Sequence, residues 1–79
     1  MTLDEAIRKR ILELVDENKT TLTQLCLNSN LTPSTIFDFM SSKSKFPKVI
    51  TIKKLCDGAN ITLEQFFNKD YFNIDDTYN

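Results

Sequence analysis

The chain holds no histidine, no tryptophan, one glycine, two prolines and two cysteines in 79 residues. Each scarcity excludes a class of chemistry. Without histidine there is no imidazole to act as a catalytic base or to ligate a metal. The single glycine, Gly58, excludes a glycine-rich loop of the kind that cradles nucleotide phosphates. Cys26 and Cys56 have no CxxC partners, so zinc is not expected. Both fall on apolar helical faces, where a small buried thiol is the expected state. The expectation is a non-enzyme with no metal, no cofactor and no small-molecule ligand. No apolar run approaches the roughly 20 residues needed to cross a bilayer. The opening Met1-Thr2-Leu3-Asp4-Glu5 lacks the basic-then-apolar order of a secretory leader, so a cytoplasmic protein of bacterial or phage type, without membrane contact, is expected.

What the chain does contain fits a small soluble globule, with 41% hydrophobic and 27% charged residues. From its length one domain with a thin core, and no separate effector domain, is expected. No internal repeat or low-complexity tract is apparent. Thr2 with Glu5 forms a capping box, and Leu3, Ile7, Ile11 and Leu14 recur at helical spacing to about Asn18. Thr21 with Gln24 is a second box and opens a helix over 22–29, with Leu25 and Cys26 facing inward. Asn28, Ser29 and Asn30 then stop it, and Asn30 suits the left-handed conformation of a sharp turn. Thr32-Pro33 is the next start signal, an N-cap followed by a proline at the first helical position. Ile36, Phe39 and Met40 give the helix over 33–41 one apolar stripe.

From Ser42 to Ile50 the Ser, Lys and Pro content predicts an ordered loop, with Phe46 and Val49 or Ile50 tucked against the core. Thr51 then caps a fourth helix, with Ile52, Leu55, Cys56 and Ala59 inward, and Gly58-Ala59-Asn60 weakens and ends it. Thr62 with Gln65 opens a fifth, anchored by Leu63, Phe66 and Phe67. After Asn68 the chain mixes acids and aromatics without periodicity. The division expected is a domain over 1–68 and an acidic, aromatic tail over 69–79.

Thr21 to Met40 thus reads as two short helices joined by a tight turn. A small residue, Cys26, stands where the helices touch. The turn residue Asn30 and an inward Leu31 follow, and β-branched Ile36 completes the set. This spacing resembles the phage-repressor (Cro-like, xenobiotic-response-element) helix-turn-helix family. Arg10-Ile11 with Leu14, and Pro47, Thr51, Leu55, Ile61-Thr62-Leu63 and Phe66-Phe67, resemble its flanking helices, so the likeness covers roughly residues 6 to 68. Two departures are Cys26 and Asn30, where the family often has Ala and Gly; both replacements are sterically compatible. The resemblance implies an all-α, compact five-helix, lambda-repressor-like domain. It also implies a small transcriptional regulator, acting as a repressor, that binds double-stranded DNA with its third helix in the major groove.

Charge distribution agrees with that expectation better than the net charge of −1 does. Residues 21–56 hold five lysines (Lys43, Lys45, Lys48, Lys53, Lys54) against Asp38 alone, a balance of +4, whereas 57–79 balance at −4. By resemblance the loop after the third helix lies along the phosphate backbone, with Lys43, Lys45 and Lys48 as contacts. A merely solvated lysine run is the competing reading. Thr21, Thr23, Thr32 and Ser41 are the polar phosphate candidates at helix ends.

Base contacts fall by resemblance to Pro33, Ser34, Thr35, Phe37 and Asp38. Ser34 can donate or accept, Phe37 and the Thr35 methyl suit thymine methyls, and Asp38 can accept from cytosine N4. No Arg, Gln or Asn is present there for bidentate readout. Phe37 could instead serve a core or a dimer, and Asp38 an ion pair or a cap. The family habit of binding pseudo-palindromic operators implies a homodimer. Helix five and the tail (Phe66, Phe67, Tyr71, Phe72, then Ile74 and Tyr78) are the expected interface, with packing of Phe66 or Phe67 into the core as its competitor. The rival functional class is a protein-interaction module, adaptor, antirepressor or antitoxin-like, that keeps the fold without specific DNA binding.

Overall fold

Thr2 stands in extended backbone, and the Glu5 carboxylate accepts its backbone N–H at 2.8 Å and its hydroxyl at 2.9 Å. Those contacts start α1, Leu3–Glu17, whose Ile7, Ile11 and Leu14 are buried as their spacing predicts. The computed structural model describes residues 1–41 and 46–73. It is all-helical, with four more helices in the described residues: α2 Leu22–Asn28, α3 Pro33–Met40, α4 Val49–Gly58 and α5 Leu63–Phe67. A short 3-10 turn, Asp70–Asn73, follows. No strand occurs among the described residues. α2 packs against both α3 and α4, α4 carries α5, and α1 packs on α2 and on the 3-10 turn. Ile7, Ile11, Leu14, Leu25, Cys26, Ile36, Phe39, Ile52, Leu55, Cys56, Ala59 and Phe66 form one buried cluster.

Three helices end in one way. At the ends of α1, α2 and α4 a residue with φ of 50°, 58° or 59° (Lys19, Asn30, Asn60) reverses the chain. In each, the next N–H returns to the carbonyl five residues back: Thr20 to Val15 (3.1 Å), Leu31 to Cys26 (2.9 Å) and Ile61 to Cys56 (2.9 Å). A second bond runs from Lys19 to Asp16, Asn30 to Leu27 and Asn60 to Asp57. This is the Schellman pattern, which satisfies carbonyls that a helix end leaves orphaned. Asparagine tolerates the left-handed region, so two of the three reversals need no glycine.

The turns after α2 and α4 extend that likeness into a repeat that the amino-acid sequence reading missed. Leu25-Cys26, Asn30, Leu31 and Thr32 recur as Leu55-Cys56, Asn60, Ile61 and Thr62, a register of 30 residues. Burial repeats with it: Leu25 and Leu55, Cys26 and Cys56, Ser29 and Ala59, and Ile36 and Phe66 are all buried. Across 21–40 and 51–70 six identities carry the register: Thr21/Thr51, Leu25/Leu55, Cys26/Cys56, Asn30/Asn60, Thr32/Thr62 and Phe37/Phe67.

Several local expectations change. Gln24 donates its N–H to the Thr21 hydroxyl at 3.1 Å, but its side chain turns to Asn28 at 2.9 Å, so that box is only half formed. Thr32 occupies the N-cap position of α3 with no side-chain cap bond. At α5 both halves form, Thr62 N–H to Gln65 at 2.8 Å and Gln65 N–H to the Thr62 hydroxyl at 3.0 Å. α4 begins at Val49, not after Thr51, with Lys48 as its N-cap and Ile52 N–H bonded to the Lys48 carbonyl at 3.1 Å. The run Val49-Ile50-Thr51-Ile52 is β-branched and a poor helix former on its own. Burial of Ile52, Leu55 and Cys56 against α2 overrides that preference. Phe46 leans on the core only at its edge, its ring centre 6.2 Å from that of buried Phe39 while 56% exposed, and Val49 and Ile50, at 73% and 58%, are not tucked in.

α4 ends over Gly58-Ala59-Asn60 as expected, with Gly58 its last residue, Ala59 the C-cap and Asn60 at positive φ. A Cβ on Gly58 would lie 2.0 Å from the Ser29 Oγ and 3.1 Å from the Ser29 Cα, so the absence of a side chain lets α4 pass close to α2. The Ser29 hydroxyl at this crossing is buried and has no hydrogen-bond partner.

Candidate nucleic-acid interface

Burying Ile36 and Phe39 fixes which side of α3 meets solvent. Ser34, Thr35, Phe37 and Asp38 are exposed and Pro33 is half-buried. Phe37, at 44% exposure, is therefore not a core residue. Thr21, Thr23, Thr32, Ser41 and Lys48 are exposed as well. The Thr21 hydroxyl is engaged as a cap, and the Ser41 hydroxyl donates to the Asp38 carbonyl at 3.1 Å. Among the described residues the Asp38 carboxylate and the Lys48 ammonium have no ion-pair partner. Lys43 and Lys45 lie outside the described residues. Lys53 is paired with Asp57 one turn on, and Lys54 is half-buried.

The candidate residues do not all converge. Thr35, Asp38 and Lys48 line one cleft of about 360 Å³, together with Phe39, Phe46, Pro47 and Thr51. Thr21 and Thr23, at the start of α2, are not part of it.

The aromatic segment expected to join two copies is largely consumed inside one. Phe66 is fully buried, and Tyr71 and Phe72 are half-buried. Phe67 and Phe72 meet edge to face at 5.0 Å, and Phe66 and Phe67 at 4.8 Å. The Lys9 ammonium sits 4.7 Å from the Tyr71 ring centre, and the Tyr71 hydroxyl donates to Glu13. Burial first, and the Glu13 carboxylate next, push the Tyr71 phenol well above its usual range. Phe67 alone of this group stays open, at 39%. Ile74 and Tyr78 lie outside the described residues.

Arg10 was missed as a structural keystone. It is buried, with Nε donating to the Phe66 carbonyl at 2.7 Å and a terminal nitrogen to the Gln65 carbonyl at 3.1 Å. Glu13 and Glu17 flank it at 3.4 and 3.6 Å, and its guanidinium lies 5.7 Å from the Phe66 ring centre. The fork thereby satisfies the last carbonyls of α5 from the side of α1. Its register was the available signal, since Arg10 falls three residues after Ile7 and four before Leu14, on the apolar stripe. Arg8 does lighter work of the same kind, pairing with Asp4 and lying 5.1 Å from the Phe39 ring centre.

Cys26 and Cys56 are free buried thiols, and burial raises the pKa of both. Hydrogen bonds from Thr2 lower the Asp4 and Glu5 carboxyls at the start of α1. Among the described residues no group of three acidic, Cys or His side chains could hold a metal, and no helix is long and apolar enough to cross a membrane. Searches against models of protein families, curated proteins and solved structures find no match to this chain.

Proposed function

We propose that the protein binds double-stranded DNA as a small transcriptional regulator of the repressor type, with α3 in the major groove. The observation that carries this reading is the exposed face of α3. Ser34, Thr35 and Phe37 project from the first two turns of a helix set after a tight turn, inside the chain's only strongly positive region. In that docking Pro33, Ser34, Thr35 and Phe37 meet base edges, with Phe37 and the Thr35 methyl against thymine methyl groups and Ser34 as donor or acceptor. Lys48, the hydroxyls of Thr21, Thr23, Thr32 and Ser41, and Lys43 and Lys45 meet phosphates and displace condensed counterions. Two copies on a pseudo-palindromic operator supply affinity that one half-site lacks. The lambda-repressor-like resemblance, the lysine block and the unobstructed face of α3 support the reading together.

Its rival, a protein-interaction module on the same fold, is favoured by one observation: the exposed residues of α3 include no Arg, Asn or Gln for bidentate base readout. A titration of labelled DNA fragments at two salt concentrations separates them. Repressor-type binding weakens with a log–log salt slope of several units, and Lys48→Ala reduces that slope by about one unit on every sequence. Ser34→Ala changes sequence preference instead. Absence of binding to any fragment, or binding indifferent to salt, overturns the DNA reading.

A further inference from the structure

The second unit shows solvent an aromatic ring at the position where the first unit does. Among the identities shared by 21–40 and 51–70, Leu25/Leu55 and Cys26/Cys56 are buried, Asn30/Asn60 reverse the chain and Thr32/Thr62 enter the second helices. Packing and turn geometry account for all of these. Phe37 and Phe67 differ, because both face solvent, at 44% and 39% exposure.

Around Phe67 three side chains from α5 and its C-cap come together. Glu64, Phe67 and Asn68 line one open cleft of about 470 Å³. The Phe67 ring packs against Phe66 and Phe72, which fixes its position while leaving part of it in solvent. The Glu64 carboxylate and the Asn68 amide have no hydrogen-bond or ion-pair partner among the described residues. None of the three is a residue that the DNA reading uses.

The surrounding charge selects the occupant. Residues 57–79 hold five acids, Asp57, Glu64, Asp70, Asp75 and Asp76, against Lys69 alone, so a polyanion is repelled here. Asp57 is answered by Lys53 within the chain, but Glu64 and Asp70 are answered by no cation among the described residues. A second copy presenting the same face across a two-fold axis would set acid against acid, which is not self-complementary. A cation carried beside an apolar group fits instead. Arginine suits the cleft best, since its guanidinium pairs with a carboxylate through two parallel hydrogen bonds and also stacks on an aromatic ring. The Asn68 amide can both donate to and accept from a neighbouring backbone.

We propose that this face of α5 is a docking site for an arginine-bearing segment of a partner protein. The guanidinium lies against the Glu64 carboxylate and the Phe67 ring, and the Asn68 amide holds the segment's backbone. Because the site shares no residue with the face of α3, one copy can hold both ligands, and the site stands whether or not α3 binds DNA.

Selection of short random peptides on the immobilised full chain, counter-selected on the Glu64→Lys variant, tests the proposal without nucleic acid. Enriched peptides are expected to carry arginine next to an apolar residue. A synthetic peptide of that consensus should shift the amides of Glu64, Phe67 and Asn68, and should bind less tightly as salt rises. Glu64→Lys should weaken it about tenfold or more, and Phe67→Ser should do the same. Glu64 is exposed, so its variant is expected to keep the wild-type circular dichroism spectrum and remains informative should Phe67→Ser, which loses two ring contacts, unfold. No enrichment, enrichment of acidic peptides, binding indifferent to Glu64→Lys, or shifts centred on α3 overturns the proposal. Shifts on α5 that follow protein concentration alone would make the occupant a second copy, and shifts there with duplex DNA would make it nucleic acid; either equally overturns it.

Discussion

The α2–turn–α3 and α4–turn–α5 units share a backbone device and differ in what they show to solvent. Each buries a cysteine two residues before the end of its first helix, reverses at an asparagine with φ of 58° or 59° and enters its second helix through a threonine. Around the first turn the exposed side chains include Leu27, Asn28, several hydroxyls, Phe37 and Asp38, in a region of balance +4. Around the second they include Asp57, Glu64 and Phe67, in a region of balance −4. The turn geometry is therefore common to both units and does not tell them apart. The distinction lies in the outward residues and in what α1 does to each unit: Arg10 closes the end of α5 from inside, while α3 keeps its outer face open.

Breaking the second unit should cost most. Arg10→Ala strands the Gln65 and Phe66 carbonyls and two carboxylates, and about 2–4 kcal/mol of stability should be lost in urea unfolding. Arg8→Ala, which touches the first unit's Phe39, should cost only about 0.5–1 kcal/mol in the same assay. Equal losses would mean that α1 supports both units alike.

The next contrast pairs Gly58 with Asn28, its counterpart 30 residues earlier. Gly58→Ala drives a Cβ into Ser29 and should destabilise by about 1–3 kcal/mol, whereas Asn28→Ala, at an exposed site, should stay within about 0.5 kcal/mol. Restoring part of the Gly58→Ala loss by adding Ser29→Ala would locate the clash at the Ser29 hydroxyl. Relief of backbone strain gives a smaller effect of opposite sign. Lys19→Gly should stabilise by about 1 kcal/mol, and Asn30→Gly and Asn60→Gly by less and by equal amounts, because asparagine already tolerates positive φ. Unequal gains at Asn30 and Asn60 in thermal melts would show that the two reversals are not equivalent.

Near neutral pH the cysteines contribute the smallest change. Burial raises both thiol pKa values above that of the unfolded chain, so the unfolded state loses its protons first as pH rises. Stability is full below the unfolded thiol pKa and declines as pH climbs from there toward the higher folded values. Melting temperatures across that alkaline range should fall, and Cys26→Ala with Cys56→Ala should flatten the decline. Aromatic thiol reagents should label both cysteines at the rate of global unfolding.

Much of the architecture was legible because it rests on local signals. Capping residues, the 3.6-residue stripe and a left-handed Asn30 place α1, α2, α3 and α5 to within a residue or two. The start of α4 was not, since Val49-Ile50-Thr51 carries strand-like propensity and the packing of α4 on α2 and α5 decides the matter. That Gly58 also makes room for Ser29 was not legible, because Ser29 comes from 29 residues away in the chain. Arg10 was hidden for the same reason, its partners being carbonyls at the far end of the fold. At the candidate interface the exposed positions of α3 were readable from the stripe that excludes them. The exposure of Phe46, Val49 and Ile50 was not, because it follows from where α4 begins.

Backbone amide shift mapping of the folded protein during titration with duplex DNA compares the two units in one experiment. Amides of Ser34, Thr35, Phe37 and Lys48 should shift progressively, while those of Leu63, Glu64 and Phe67 stay fixed. Shifts centred on α5, or none on α3 as DNA is added, would contradict the assignment of DNA binding to the first unit.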